Sequence, residues 1–317
     1  MLQSFIYKKK GNPFTYFLLK LLLLAIIVFA LDFSIGSILR YYYFKQKSGF
    51  LYRTTFSVDK TKADLLVFGS SRASRHYFPD YFENNLKLSY YNTGRDGNFI
   101  LYQYAMLKAV LKRYTPKVIL LDFVKGEFAI NQNDYDRLSA LLPYYNSHPE
   151  MHSVILLKSA QERIKLLSAI YPYNSAIFSI AVGNADFNKG RSIENKGYVA
   201  IATNWKEPIP ADVILQNYQL DFTKIKMYEL FIKDCKELKI KLFVVCSPYL
   251  IKYANSDNSV TMAREIAAKN KVPFVDFSQN PLFINHAKLF ADTIHLNDDG
   301  ARLFSSLLIQ QMALLKE

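Results

Sequence analysis

The chain has 317 residues, half of them hydrophobic, and carries 40 Lys and Arg against 27 Asp and Glu, a formal charge of +13. That length and apolar content bury a substantial core in one or two domains and exclude a disordered polymer. The basic excess raises nucleic acid as a partner, but the basic residues are dispersed and no recognition motif accompanies them, so the reading is no nucleic acid. Cys235 and Cys246 fall in a helical and a strand-like stretch and read as small buried side chains. Without a CxxC or a Cys/His cluster there is no case for a zinc site, and neither metal nor cofactor is called for.

In chain order, residues 1–13 form a basic tail containing Lys8, Lys9 and Lys10. "FTYFLLKLLLLAIIVFALDFSIGSIL", Phe14 to Leu39, follows. As a helix it is long enough to cross the roughly 30 Å hydrocarbon core of a bilayer. Lys20 and Asp32 interrupt it, but each lies toward one end, where a charged group can reach an interface. A cleavable signal peptide is the rival reading; its apolar region should be shorter, and "ALDFSIGS" is a poor cleavage site. The expectation is therefore an uncleaved, single-pass transmembrane anchor over 14–39. Positive charges flank both ends, so charge alone does not orient it. "RYYYF", Arg40 to Phe44, suits an interfacial aromatic belt, and 40–62 reads as a polar connector.

From residue 63 to 317 the pattern changes to short apolar runs separated by helical stretches. "ADLLVFG", "LSYYNTG", "KVILLDF", "KLFVVCSP" and "VPFVDFS" have the β-branched and aromatic character of buried parallel strands. Phe99 to Tyr114 and Phe222 to Leu238 read as helices between them. Such alternation predicts an α/β fold, a doubly wound parallel sheet whose sites form beyond the carboxyl ends of the strands. No sheet strand is evident between about 125 and 221, which reads as an insertion over the strand ends. Within it Ser153 to Ile170 has helical spacing, and "VGNADFNKGRSIENKGYVA" reads as irregular.

Two short stretches carry chemistry. The first strand ends in "GSSRAS", where Ser70 or Ser71 is either a helix cap or a nucleophile held at a strand-to-helix turn. Near the C-terminus stands "FADTIHLNDDGARLF", in which Asp292 and His295 are three apart. In one helical turn they share a side, so the carboxylate can accept from the imidazole and leave Nε2 free as a base. Taken alone, Asp292 could equally be a cap and His295 a buried hydrogen-bonding residue.

A Gly-x-Ser after the first strand, Gly69 to Ser71, with a D-x-x-H before the last helix, resembles the SGNH (GDSL-like) hydrolase superfamily over about 64–308. The resemblance implies a three-layer α/β/α sandwich with a parallel, about five-stranded, flavodoxin-like sheet. It makes Ser71 the nucleophile, His295 the general base and Asp292 the orienting carboxylate, with Ser70 in place of the family's usual acid. "NTGRDG", Asn92 to Gly97, fits the second block and would place the N–H groups of Gly97 and Ser71 in an oxyanion hole.

The third block departs from the pattern. Gly126 stands where the oxyanion Asn belongs, and Glu127 at the acidic position. Losing one preorganised donor typically costs about 10²–10³ in rate, so Asn131 or Asn133 from the insertion is a candidate replacement. Asn92 and Arg72 are further candidates to touch substrate, although Arg72 and Arg75 could simply pair with nearby carboxylates. His76 reads as packing or surface.

A membrane helix joined to such a domain is similar to bacterial envelope proteins that transfer D-alanyl groups or acetylate exopolysaccharides. That resemblance implies a serine acyltransferase or esterase, with its domain outside the bacterial cytoplasmic membrane. Its substrate would be an envelope glycan or acylated polymer, and its partner a membrane-bound O-acyltransferase. The competing reading is a lapsed SGNH-fold module that binds glycan or scaffolds an acylation complex.

Overall fold

The computed structural model describes residues 12–185, 195–209 and 213–315. The tail expected at 1–13 lies, apart from its last two residues, outside them. Helix α1 runs Pro13–Lys45, with Pro13 in its first turn and the Asn12 side chain accepting from Phe14 N–H at 3.0 Å. It is apolar around nearly its whole circumference and is long and apolar enough to cross a membrane.

At 33 residues α1 is about 50 Å long, well beyond one hydrocarbon core. The helix continues past residue 39 to Lys45, and Gly36 and Tyr43 on it are buried against the domain. Tyr43, placed by sequence in an interfacial belt, is buried edge-on against Tyr144 and Tyr173. The connector expected at 40–62 is also corrected, because α2, Gly49–Asp59, buries Leu51, Thr54, Thr55 and Val58. The two threonines satisfy their hydroxyls on carbonyls one turn back, at 2.9 and 3.1 Å, which lets polar residues sit on the packed face.

The sheet follows. Strand β1 is Leu65–Phe68, then α3 Ser71–His76, α4 Pro79–Leu86, β2 Tyr90–Asn92, α5 Ile100–Arg113 and β3 Val118–Asp122. After the insertion come α10 Phe222–Glu237, β4 Lys241–Cys246, α11 Asn258–Lys269, β5 Phe274–Asp276 and α12 Asp298–Leu314. All five strands are parallel in the order β2-β1-β3-β4-β5. The five apolar runs read from sequence are these strands. β1 is buried on both faces: Leu66 and Phe68 face the layer of α5 and α10, while Leu65 and Val67 face the layer of α3, α4 and α12. The result is a three-layer α/β/α sandwich. The chain leaves β1 for β2 on one side and returns to β3 on the other, so the switch point, where such sheets form sites, lies beyond the end of β1.

The insertion is closed at its base, where Ile130 N–H donates to Gln219 O and Asp221 N–H to Phe128 O. Among the described residues it holds short helices, α6 Gln132–Asp136, α7 His152–Ile155, α8 Glu162–Lys165 and α9 Ile177–Asn184, with 3₁₀ turns over Arg137–Tyr144 and Tyr171–Ala176. The continuous helix expected over Ser153 to Ile170 is broken at Ser159. That residue is extended (φ −161°, ψ 157°) and spends its hydroxyl on Glu162 at 2.7 Å, the local competition that makes Ser a helix interrupter. Of the stretch expected to be irregular, 182–200, residues 186–194 lie outside the described residues, and its first residues, Val182 to Asn184, close α9.

Candidate active site

At the end of β1 the backbone turns sharply into α3. Gly69 adopts φ +144°, and a Cβ there would lie 2.8 Å from Ala73 Cβ and 2.9 Å from Asp122 Cβ, so only glycine fits. Ser70 occupies the N-cap position but its side chain makes no capping bond, and Ser71 opens the helix. Of the two readings of these serines, capping is thus not the one the geometry takes. Ser71 Oγ lies 2.7 Å from His295 Nε2. On the far side of the imidazole, Nδ1 is 2.7 Å from Asp292 Oδ2.

Asp292 and His295 do not share a helical turn, as the spacing suggested. They sit in an irregular turn before α12, in which Asp292 Oδ1 accepts the backbone N–H of Ile294 and of His295, each at 2.8 Å. The carboxylate therefore fixes the loop and the ring together. Partial burial alone would raise the Asp292 carboxyl, but the imidazole hydrogen bond and those two N–H donors bring it down to about 2. With Asp292 accepting from Nδ1–H, a neutral His295 presents Nε2 as acceptor to the Ser71 hydroxyl.

The second block forms the opposite wall. Gly97 has φ +66°, and the Arg137 guanidinium packs where its Cβ would stand. Among the described residues neither Gly97 N–H nor Ser71 N–H has a protein acceptor. Gln103 on α5 bridges the two blocks, donating to Gly69 O at 2.8 Å and to Asn98 O at 3.2 Å. Arg75 pairs in bidentate fashion with Asp96 (2.7 and 2.6 Å) and also donates to Ser71 O at 3.1 Å. A cavity of about 440 Å³ is lined by Asp96 and Asn98, together with Arg53, Arg95, Arg137 and Ser175. That volume is within the range of small-molecule sites.

Four residues expected near substrate are placed elsewhere. Arg72 is buried: it donates to Ser247 O and Oγ, pairs with Asp122 at 3.9 Å and stacks on Tyr249 at 3.5 Å. Asn92 is buried too, donating to Ala73 O at 2.7 Å and accepting from Gly94 N–H at 2.9 Å, so it ties the second block to α3. Asn131 caps α6 by accepting from Asn133 N–H at 3.1 Å, and Asn133 is exposed; neither contacts the Ser71 network. The partners of Arg72 lie tens of residues away, out of reach of any local pattern, whereas the capping of Asn131 and the turn bond of Asn92 are local.

His76 was passed over as packing, yet its Nε2 accepts from Leu296 N–H at 3.0 Å, immediately after His295. Its Nδ1–H therefore donates to Ser247 Oγ at 2.9 Å. Burial and the Arg72 charge push this imidazole well below the ordinary range and keep it neutral. With Arg72 Nη1 donating to Ile294 O at 3.4 Å, α3 grips the backbone on both sides of His295.

In the third block, Gly126 offers no side-chain donor. Glu127 is buried and accepts Ile100 N–H at 2.5 Å, at the start of α5. Burial raises its carboxyl from 4.5 to about 8, against the pull of Lys224. Between these values the unfolded chain releases a proton that the folded chain keeps, so Glu127 contributes stability that is lost as pH rises from about 4.5 to 8. Glu127→Gln keeps an acceptor for Ile100 and removes the titration. Thermal melts across that window should show a shallower fall for the variant, which at pH 8 should melt above the unmodified chain.

No protein-family profile matches the chain, and no curated protein does. Among solved structures it is similar to an acetyl xylan esterase, at 15% identity over 79% of this chain and 98% of that one, with a TM-score of 0.39. A putative acylhydrolase from Bacteroides fragilis matches at 15% identity over 86% and 100%, with a TM-score of 0.40. A GDSL-like lipase from Bacteroides thetaiotaomicron matches at 16% identity over 79% and 88%, with a TM-score of 0.35. These are distant likenesses, and the chemistry rests on the geometry of this chain.

Proposed function

We propose that the protein is a membrane-anchored serine acyltransferase or esterase of the SGNH type, acting on O-acyl groups of a cell-envelope glycan. The observation that carries this reading is the continuous chain from Ser71 Oγ through His295 to Asp292, both links at 2.7 Å. Ser71 Oγ attacks the acyl carbonyl as its proton passes to His295 Nε2. The resulting oxyanion is received by the free N–H groups of Ser71 and Gly97. His295 then returns the proton to the leaving oxygen, freeing the alcohol and leaving the acyl group on Ser71. A hydroxyl of an acceptor, or water, gives its proton to His295, attacks the ester and restores Ser71.

The anchor is α1, long and apolar enough to span a membrane. On this reading the domain stands on the outer side of the bacterial cytoplasmic membrane, where envelope glycans lie and a membrane-bound O-acyltransferase can supply acyl groups. A scaffold reading is favoured by one observation, the absence of a side-chain donor at Gly126. A fluorophosphonate probe distinguishes the two. The purified full-length chain in detergent should be labelled at Ser71 and should release acyl groups from simple esters; absence of both in folded protein supports the scaffold.

A further inference from the structure

The insertion carries large apolar side chains that the fold leaves uncovered, and they stand beside α1. Ile164 on α8 is 70% exposed and Leu167, just past its end, is 80% exposed. The residues that follow are tied to α1 at a fixed height. Asp32 accepts from Ser168 Oγ at 2.5 Å, Ala169 N–H at 2.6 Å and Ile170 N–H at 3.4 Å. One turn further along α1, Gly36 lies against the Ala169 backbone with no room for a Cβ. Farther out, Tyr43 packs edge-on to Tyr173, and Asn184 donates to Tyr42 O at 2.9 Å.

That height matters because of what α1 does on the other side of Asp32. Residues 13–31 of the helix rise about 28 Å, close to one hydrocarbon thickness of roughly 30 Å. Asp32 thus stands where the span meets the interface, with its carboxylate already supplied with donors by the insertion. Just past Asp32, α1 still exposes Phe33, Ile35 and Ile38. Ile164 and Leu167 come immediately before the residues that hold Asp32, so their exposed apolar side chains stand near the level at which the span ends. Arg163 and Lys165 flank Ile164 and are exposed and basic, Lys165 also reaching Ser159 Oγ at 3.0 Å and Glu162 at 3.7 Å; basic side chains beside exposed apolar ones suit an anionic membrane surface.

We propose that the turn at 162–170 is a second membrane contact, in which Ile164 and Leu167 enter the bilayer beside α1 while Arg163 and Lys165 meet anionic headgroups. It rests on α1 being a membrane span and is independent of the acyl chemistry. Two points of attachment fix the tilt of the domain on the membrane. The cavity next to Gly97 is walled by α1 through Tyr43 and by the same insertion through Ser175 and Ala176, so it is held at a set distance from the lipid.

The full-length chain reconstituted in phosphatidylcholine–phosphatidylglycerol vesicles provides the test. An environment-sensitive nitrobenzoxadiazole probe is attached at Leu167→Cys, at Leu24→Cys within α1, and at Lys233→Cys on the exposed face of α10. Both native cysteines are buried. The probes at 167 and 24 should emit to the blue of the probe at 233 and be quenched several-fold by lipids brominated on the acyl chain. A probe at 167 that is quenched by aqueous iodide as readily as that at 233, while the probe at 24 remains in lipid, overturns the docking turn and leaves the anchor intact. A probe at 24 that reads as solvent overturns both.

Discussion

Ser71→Ala is expected to lower acyl transfer and ester hydrolysis by about 10⁴-fold or more, to the background left by binding and the oxyanion donors. Ser71 Oγ has one partner, His295 Nε2, and no bond that supports the fold, so deleting it leaves almost no cavity and the melting temperature should barely move. His295→Ala should be nearly as damaging and the double variant little worse, because groups that act on the same proton do not lose activity additively. Asp292→Asn should retain more. It keeps the acceptor for Ile294 and His295 N–H but no longer opposes Nδ1 with a carboxylate, so the wrong tautomer is populated. Ser70→Ala should be mild, since that hydroxyl makes no capping bond. Steady-state ester hydrolysis with parallel thermal melts checks the set. A Ser71→Ala chain that hydrolyses at the unmodified rate would rule out the acyl-enzyme route.

The carboxylate also bears on acid stability. Asp292 is depressed to about 2 in the folded chain against an ordinary value of 3.8. Its contribution is present above about pH 4 and is lost as pH falls toward 2, so the carboxylate stays ionised near neutral pH.

The sheet was legible because a parallel strand buried on both faces must be apolar at every position, and five such runs stand in the sequence. Ser71, Asp292 and His295 were singled out for another reason, the resemblance of two short motifs to a family pattern; the spacing of Asp292 and His295 alone suggested a helical turn, where the chain forms an irregular one. What local pattern does not carry is the direction in which a polar side chain points. Arg72 and Asn92 adjoin the site in sequence and read as candidates for substrate, yet both are turned inward by Asp122 and Ser247 or by the Ala73 carbonyl. His76 was discounted for the same reason, since its partners are 171 and 220 positions away. The connector failed differently. α2 is a weakly apolar segment whose helix is stabilised by α1 and α5, and tertiary packing of that kind overrides propensity.

Arg72→Ala is expected to cost about 3–5 kcal/mol, lowering the melting temperature by roughly 10 °C or more. Few single changes in the domain should cost as much. Arg72 is buried against Tyr249 and faces Asp122, a carboxylate at the end of β3 that burial raises despite Arg72's pull. Without the guanidinium, Asp122 loses its one nearby cation and keeps neutral donors, the Tyr77 hydroxyl at 2.7 Å and Ser247, while the Ser247 carbonyl loses the Arg72 donor. Arg72→Lys keeps the charge but cannot reach Ser247 O, Ser247 Oγ and Ile294 O at once, so it should fall between the two. Adding Asp122→Asn to Arg72→Ala removes the uncompensated carboxylate and should recover part of the stability. The grip on Ile294 would still be missing, so kcat should stay low in the double variant while KM changes little. Melting curves and Michaelis parameters for the three variants separate the outcomes: an Arg72→Ala chain with an unchanged melting temperature and a raised KM alone would return Arg72 to the substrate.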